Sequence, residues 1–197
     1  IDLKLAKETM KHPTIGLLIF MFFMLVFSMA NIHGTFPIIG SKFYHFTNTD
    51  IVYQYVIMGL VGAIIQGGLM KVLSRRVRDY HLMIFGMICL TIGLGLIPYG
   101  INFTGVAIAI VILSIGNGIL QPVVVTMISK HASDSNQGAV LGFSQSISAL
   151  GRVFGPLWGG FAYDFIGFRA PFLTGSIISF LALLLGYKML KNFKKTI

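Results

Sequence analysis

Arg152 lies near the middle of a long apolar stretch of the sequence. Placing an arginine at the centre of a membrane-spanning helix costs about 2.5 to 3.5 kcal/mol on insertion scales. This cost indicates that Arg152 has a functional or structural role. Gln145 and Ser148 precede it at helical spacing and share one face with it. This face could pair with an anionic group of a substrate or with a carboxylate of a partner. The alternative is structural, with the guanidinium bonding carbonyls that Pro156 leaves without a donor.

Two other apolar stretches each carry a row of small polar side chains at helical spacing. The rows are Ser28, Asn31 and Thr35, and Ser114, Asn117 and Gln121. Because a polar side chain that faces lipid is costly, each row predicts a face turned toward water or substrate. The alternative is that these side chains bond neighbouring helices to one another.

The acidic residues all fall outside the apolar stretches. They are Asp2, Glu8, Asp50, Asp79, Asp134 and Asp164. A buried carboxylate that carries protons therefore has no place in this chain, although such a group is common in transporters. The five histidines are scattered and the single cysteine, Cys89, lies in an apolar stretch, so neither a metal site nor any other cofactor is expected.

The elements that must position these residues are membrane helices. With 55% hydrophobic and 11% charged residues, a chain of 197 residues cannot bury its apolar surface in a soluble core. Six stretches have the length that a bilayer requires. They are residues 15–36, 51–70, 81–100, 105–127, 138–161 and 170–187. Pro37 and Pro98 are expected where helices end.

Positive charge is distributed unevenly between the two sides that these spans define. The formal net charge of +9 does not indicate a nucleic-acid-binding protein, because nearly all Lys and Arg lie between spans. At those positions the neighbouring anionic surface is that of the lipid headgroups. One side holds Lys4, Lys7, Lys11, Lys71, Arg75, Arg76, Arg78, Lys130, Lys188, Lys191, Lys194 and Lys195, and the other holds Lys42 and Arg169. The bias predicts that both termini are cytoplasmic. Since the sequence starts at Ile1 without a methionine, a piece of a longer protein is expected.

Glycines in the fifth span follow a fixed pattern. It consists of Gly142, Gly151, Gly155, Pro156, Gly159 and Gly160. Gly151, Gly155 and Gly159 recur at every fourth position and form one bare helix face, which another helix backbone can approach closely.

This pattern matches the glycine-proline motif of the major facilitator superfamily, best known in its drug:proton antiporters. Two further stretches resemble the carboxy-terminal half of tetracycline-efflux-type transporters of that family. They are Gln66-Gly67-Gly68-Leu69 leading to Ser74-Arg75-Arg76, and Gln137-Gly138 leading through Gly142 to Ala170-Pro171-Phe172. The resemblance implies an all-α membrane protein in which six helices form two inverted three-helix repeats, here residues 1–101 and 102–197.

The resemblance also implies a role for each helix. The first and fourth helices of such a half line the central cavity, the second and fifth face the other half, and the third and sixth face lipid. The end of the second span resembles a family signature at Gly67, Leu69, Arg75 and Arg76, which is expected to form a cytoplasmic loop. Lys71 and Ser74 replace the acid and the glycine of that signature, so the charge that would clamp a neighbouring helix end is missing.

The function implied is secondary active transport of a small solute by alternating access, with efflux by proton antiport as the favoured class. The implied partners are a six-helix amino-terminal half and the lipid bilayer, in a bacterial inner membrane. The rival interpretation is a self-contained six-helix protein, either a homodimeric carrier or an intramembrane enzyme. The sequence lacks the Gly-x-Ser-Gly nucleophile of rhomboid-type proteases and the aspartate-rich motifs of prenyl-transfer enzymes, and therefore predicts no enzyme.

Overall fold

Six helices make up the chain in a computed structural model that describes residues 13–134 and 136–193, with side chains up to Met189. The helices are α1 Pro13–Phe43, α2 Asn48–Arg76, α3 Asp79–Leu96, α4 Phe103–His131, α5 Gln137–Phe165 and α6 Ala170–Phe193. A π-helical turn, Ile65–Leu69, interrupts α2, and a short 3₁₀ turn, Ile97–Tyr99, follows α3. The predicted all-α membrane fold is confirmed.

Five of these helices are long and apolar enough to cross a membrane, judged over the described residues. They are α1, α2, α3 with its 3₁₀ turn, α4 and α6. Helix α5 has 29 residues, which is also long enough, but its glycines and polar side chains make it less apolar than the others. This composition suits a helix that has one side in contact with protein rather than lipid.

Helix α1 continues past Pro37, so the expected helix end at this residue is wrong. A proline has no N–H and leaves the carbonyl four residues earlier without its helical donor, here that of His33. The Tyr55 hydroxyl of α2 donates to this carbonyl over 3.3 Å. A neighbouring helix therefore satisfies the group that the proline exposes, and α1 runs on to Phe43.

Two helices, α1 and α4, lie at the centre of the molecule and contact each other, and each also packs against two outer helices. Helix α1 packs against α5 and α6, while α4 packs against α2 and α3. Helices α3 and α6 also pair with each other. Two three-helix units related by a pseudo-twofold axis would pack in this way, because the first helix of each unit lies against the second and third helices of the other unit. The unit boundary near residue 101 stays a prediction.

Hydroxyl groups bond α3 to α6 across their shared face. Thr91 donates to the Ser179 hydroxyl over 3.0 Å, and Ser176 donates to the Thr91 carbonyl over 2.8 Å. The opposite faces of both helices are apolar and exposed, with Phe85 and Phe180 about half accessible. The structure therefore leaves an apolar surface for lipid on the outside of α3 and α6.

Aromatic contacts close the end of the molecule where α1, α3 and α5 terminate. The rings of Phe43 and Phe168 stack with centroids 4.0 Å apart, and the Arg169 guanidinium lies 5.3 Å from the centre of the Tyr99 ring. The Tyr44 hydroxyl donates to the Ile97 carbonyl over 2.7 Å. Burial raises the pKa of Tyr44 to about 12, so this phenol remains a donor even well above physiological pH.

Candidate functional site

A cavity of about 540 Å³ lies between α1, α2, α4 and α5. Its polar lining comes from His33, Gln66, Asn117, Gln121, Gln145 and Arg152. Its apolar lining comes from Phe22, Val26, Met29, Ala30, Pro122, Val125 and Pro156. The cavity has the size and the mixed lining of a small-molecule site.

Arg152 supplies the only permanent charge among the lining residues. Its Nη2 donates to the Gln145 Oε1 over 3.4 Å and to the Ser148 Oγ over 3.3 Å. These are long hydrogen bonds, and a guanidinium has five N–H donors, so most of its donor capacity remains for another partner. No carboxylate in the described part of the chain forms a salt bridge with it. Arg152 is therefore held in place by its own helix and presented to the cavity.

Ser148 is fully buried and lies behind Arg152 rather than on the wall. Its hydroxyl donates to the Gln145 carbonyl over 3.0 Å, and accepts from Arg152. The three residues predicted from helical spacing thus meet, but only Gln145 and Arg152 are available to a ligand, with Ser148 as a positioning residue.

The α4 side of the cavity is formed by Asn117, Gln121 and Pro122. Helix α2 crosses α4 just behind them, where a Cβ on Gly118 would lie 3.0 Å from the Ile65 side chain. Because Ile65 begins the π-turn of α2, the crossing places the next residue, Gln66, beside the cavity. Pi-turns occur often at functional sites.

Gln66 and His33 are cavity residues that the sequence did not predict as such. The resemblance implied that the second helix, which carries Gln66, faces the other half of the transporter. A glutamine beside two glycines in an apolar helix was the available signal.

Asn31 and Thr35 do not line the cavity, so the prediction that their face of α1 meets water or substrate is wrong for this structure. Both side chains are buried. The Asn31 amide donates to the Pro171 carbonyl of α6 over 2.6 Å, and Thr35 donates to the Asn31 carbonyl over 3.1 Å. Asn31 therefore connects α1 to α6, in accord with the structural alternative left open for these side chains, and Thr35 bonds the backbone of its own helix.

The glycine face of α5 is the physical reason for that burial. A Cβ on Gly159 would lie 2.5 Å from both the backbone oxygen and the Oδ1 of Asn31. A Cβ on Gly155 would lie 2.9 Å from the Asn31 nitrogen and the Phe27 oxygen, and one on Gly151 would lie 3.0 Å from the Phe27 nitrogen. Helices α1 and α5 therefore touch backbone to backbone and cover the polar row of α1.

Gly142 and Gly160 lie outside this contact, because a Cβ on either residue would meet no atom within 4 Å. Pro156 belongs to the contact, since it packs beside Gly34 of α1. Gly67 and Leu69 lie in the π-turn, and Arg75 and Arg76 lie in the last turn of α2. The expected cytoplasmic loop is therefore the helical end of α2, because the π-turn keeps the backbone hydrogen-bonded through both glycines.

Acidic residues stay away from the cavity in the described ranges 13–134 and 136–193. Asp50 and Asp79 lie in the first turns of α2 and α3, Asp164 lies near the end of α5, and Asp134 lies in a loop. The same ranges contain no group of three or more His, Cys, Asp or Glu side chains that could hold a metal ion.

Comparison with known proteins places this geometry in a family. Residues 18–195 match the family described as Major Facilitator Superfamily. Multidrug resistance protein 1 of Bacillus subtilis (strain 168) is 26% identical over 169 residues, which is 85% of this chain and 43% of that protein. Major facilitator superfamily domain-containing protein 10 of Mus musculus is 23% identical over 168 residues, which is 85% of this chain and 37% of that protein.

Solved structures show the same fold. The human organic anion transporter MFSD10 (TETRAN) superposes with a TM-score of 0.79 at 22% identity, over 87% of this chain and 40% of that chain. The POT family transporter PepTSo superposes with a TM-score of 0.73 at 13% identity, over 90% of this chain and 37% of that chain. The chain spans less than half the length of these relatives, which are transporters rather than enzymes. A match over residues 18–195 and the six-helix fold establish that this chain belongs to the major facilitator superfamily.

Proposed function

We propose that this chain is the carboxy-terminal half of a secondary active transporter that exports a small solute in exchange for protons by alternating access. The observation that carries the proposal is the polar cavity between α1, α2, α4 and α5, with Arg152 presented to it. The names of two relatives from Bacillus subtilis, Multidrug resistance proteins 1 and 2, support export of foreign compounds. Residues 1–101 and 102–197 serve as the two inverted repeats of this half.

The lining gives each side chain a role in solute binding. Arg152 and Gln145 bind an anionic or strongly polar group, because a guanidinium offers paired donors to such a group. Asn117, Gln121 and Gln66 supply amides that both donate and accept hydrogen bonds. The apolar α1 wall takes the hydrophobic part of the solute.

The proton-carrying carboxylate lies outside this chain in the proposed mechanism, in a six-helix amino-terminal half. The faces that this half would cover belong to α2 and α5. Tyr53, Val56 and Leu60 on α2, and Val153 and Leu157 on α5, are each more than half accessible. When the two halves rock about a solute bound between them, the cavity opens alternately to the two sides of the membrane.

Transport by the intact protein tests the proposal. Cells that express the complete coding sequence should retain less of a fluorescent drug analogue than cells that express its Arg152→Ala variant, and a protonophore should abolish the difference. The coding sequence upstream of Ile1 should supply six further spans. Transport by residues 1–197 alone, reconstituted without any other chain, would replace the proposal with a homodimeric carrier.

The charge bias predicts orientation in a bacterial inner membrane. In a Cys89→Ala background, single cysteines at Asn48 and Ile101 should react with an impermeant thiol reagent added outside intact cells, because both residues are exposed and Ile101 is 95% accessible. A cysteine at Asn136, exposed at the opposite end, should react only after the cells are opened. The reverse labelling would show that both termini lie outside.

Two glutamines with different surroundings separate binding from stability. Gln121 lines the cavity, so Gln121→Ala should weaken solute binding and leave the melting temperature in detergent near the wild-type value. Gln54 is fully buried and donates to the Phe103 carbonyl over 3.0 Å. Gln54→Ala removes this hydrogen bond and the buried side chain that makes it, which should cost about 1 to 3 kcal/mol. Equal melting temperatures for the two variants would contradict the assignment of Gln54 to structure.

A further inference from the structure

A second concave site lies at the opposite end of the molecule from the aromatic cluster, where α2 ends, α3 begins and α4 ends. Its volume is about 440 Å³. Arg75, Arg76, Arg78 and Lys130 line it, with Asp79 as the only carboxylate among the lining residues. Asp79 already accepts from the Lys130 ammonium over 2.6 Å. Three arginines therefore line a pocket whose single carboxylate already pairs with Lys130.

The choice of arginine is informative. All other cations that the sequence places at this membrane face are lysines, from Lys4 to Lys195. Orientation in the membrane is set by lysine as well as by arginine, and the family signature includes only Arg75 and Arg76, so neither topology nor the signature gives a reason for Arg78 in the same pocket. A guanidinium binds a phosphate through two parallel N–H donors, whereas an ammonium acts as a point charge.

The position of the pocket identifies the source of the phosphate. The cations sit where the apolar spans end, at the level of lipid headgroups. Exposed apolar side chains lie beyond the pocket on α3, one of the helices that form it, with Phe85 and Ile88 on the face that the fold leaves to lipid. A free phosphate would use only the cations, but a phospholipid would use both parts of this surface.

We propose that this pocket binds the phosphodiester headgroup of an anionic phospholipid, with the acyl chains lying on the exposed face of α3. Basic pockets between membrane helices on the cytoplasmic side are suited to such headgroups. The bound lipid ties the end of α2 to the ends of α3 and α4.

The test compares two variants that each lose two positive charges at the same membrane face. Arg75→Gln/Arg78→Gln removes pocket cations, and Lys71→Gln/Lys188→Gln removes exposed cations that do not line the pocket. The intact transporter is reconstituted in nanodiscs of phosphatidylcholine that contain a minor fraction of phosphatidylglycerol, and the lipids that remain bound on release are counted by native mass spectrometry.

Wild type and the lysine variant should retain phosphatidylglycerol over phosphatidylcholine, and the arginine variant should retain it about tenfold less. Equal melting in pure phosphatidylcholine shows that both variants fold. Equal retention by all three proteins, or equal loss in both variants, would overturn the proposal. Displacement of the lipid by inorganic phosphate at millimolar concentration would also overturn the proposal. None of these readouts depends on transport, so the headgroup site and the proposed function can fail separately.

Discussion

Gly159→Ala should destabilise the protein far more than Gly160→Ala, although the two residues are neighbours on one helix. A Cβ at position 159 would lie 2.5 Å from two oxygens of Asn31, one of them in the backbone, so α1 and α5 must separate to admit it. Overpacking of this kind costs about 1 to 3 kcal/mol. The separation would also disturb the hydrogen bond from Asn31 to the Pro171 carbonyl and thereby loosen α6.

Gly160→Ala is the matched control because a Cβ there meets no atom within 4 Å. Replacing glycine by alanine in a helix is intrinsically favourable by about 1 kcal/mol, so this variant should melt at or above the wild-type temperature in detergent. Gly155→Leu, which places a larger side chain against Ala30 and the α1 backbone, should abolish assembly or transport. If Gly159→Ala melted with the wild type, the backbone contact between α1 and α5 would not exist as described.

Helical spacing identified the face of Arg152 because all three residues of that face belong to one helix. The positions of Gln145, Ser148 and Arg152 relative to one another follow from helix geometry alone, and the hydrogen bonds of 3.3 and 3.4 Å agree with it. The bare face at Gly151, Gly155 and Gly159 was visible for the same reason. Local periodicity in the sequence is therefore enough to predict which residues share a face when they all belong to one helix.

The neighbour that covers a helix face is decided by another part of the chain. The row of Asn31 and Thr35 was found correctly as a row, but its neighbour is the bare glycine face of α5 rather than water. The π-turn at Ile65–Leu69 adds a residue to one turn of α2 and shifts the register of the helix beyond it, which a fixed helical period cannot predict. Pro37 does not end α1 because Tyr55 on α2 supplies the missing donor.

Arg152→Lys should reduce transport by the intact protein about tenfold or more while leaving its expression and melting temperature near wild type. The variant keeps the positive charge but loses the planar set of donors that a bound anionic group would use, and a hydrogen bond to a charged group contributes about 1.5 to 3 kcal/mol. Stability should change little, because Arg152 is exposed to the cavity and its bonds to Gln145 and Ser148 are long. Arg169→Lys is the matched control, since Arg169 lies over the rings of Tyr99 and Phe168 at the other end, where a lysine can also pack, and it should transport normally. If Arg152→Lys transports like the wild type, or if it loses stability and transport together, Arg152 serves the fold and the solute is bound by other residues.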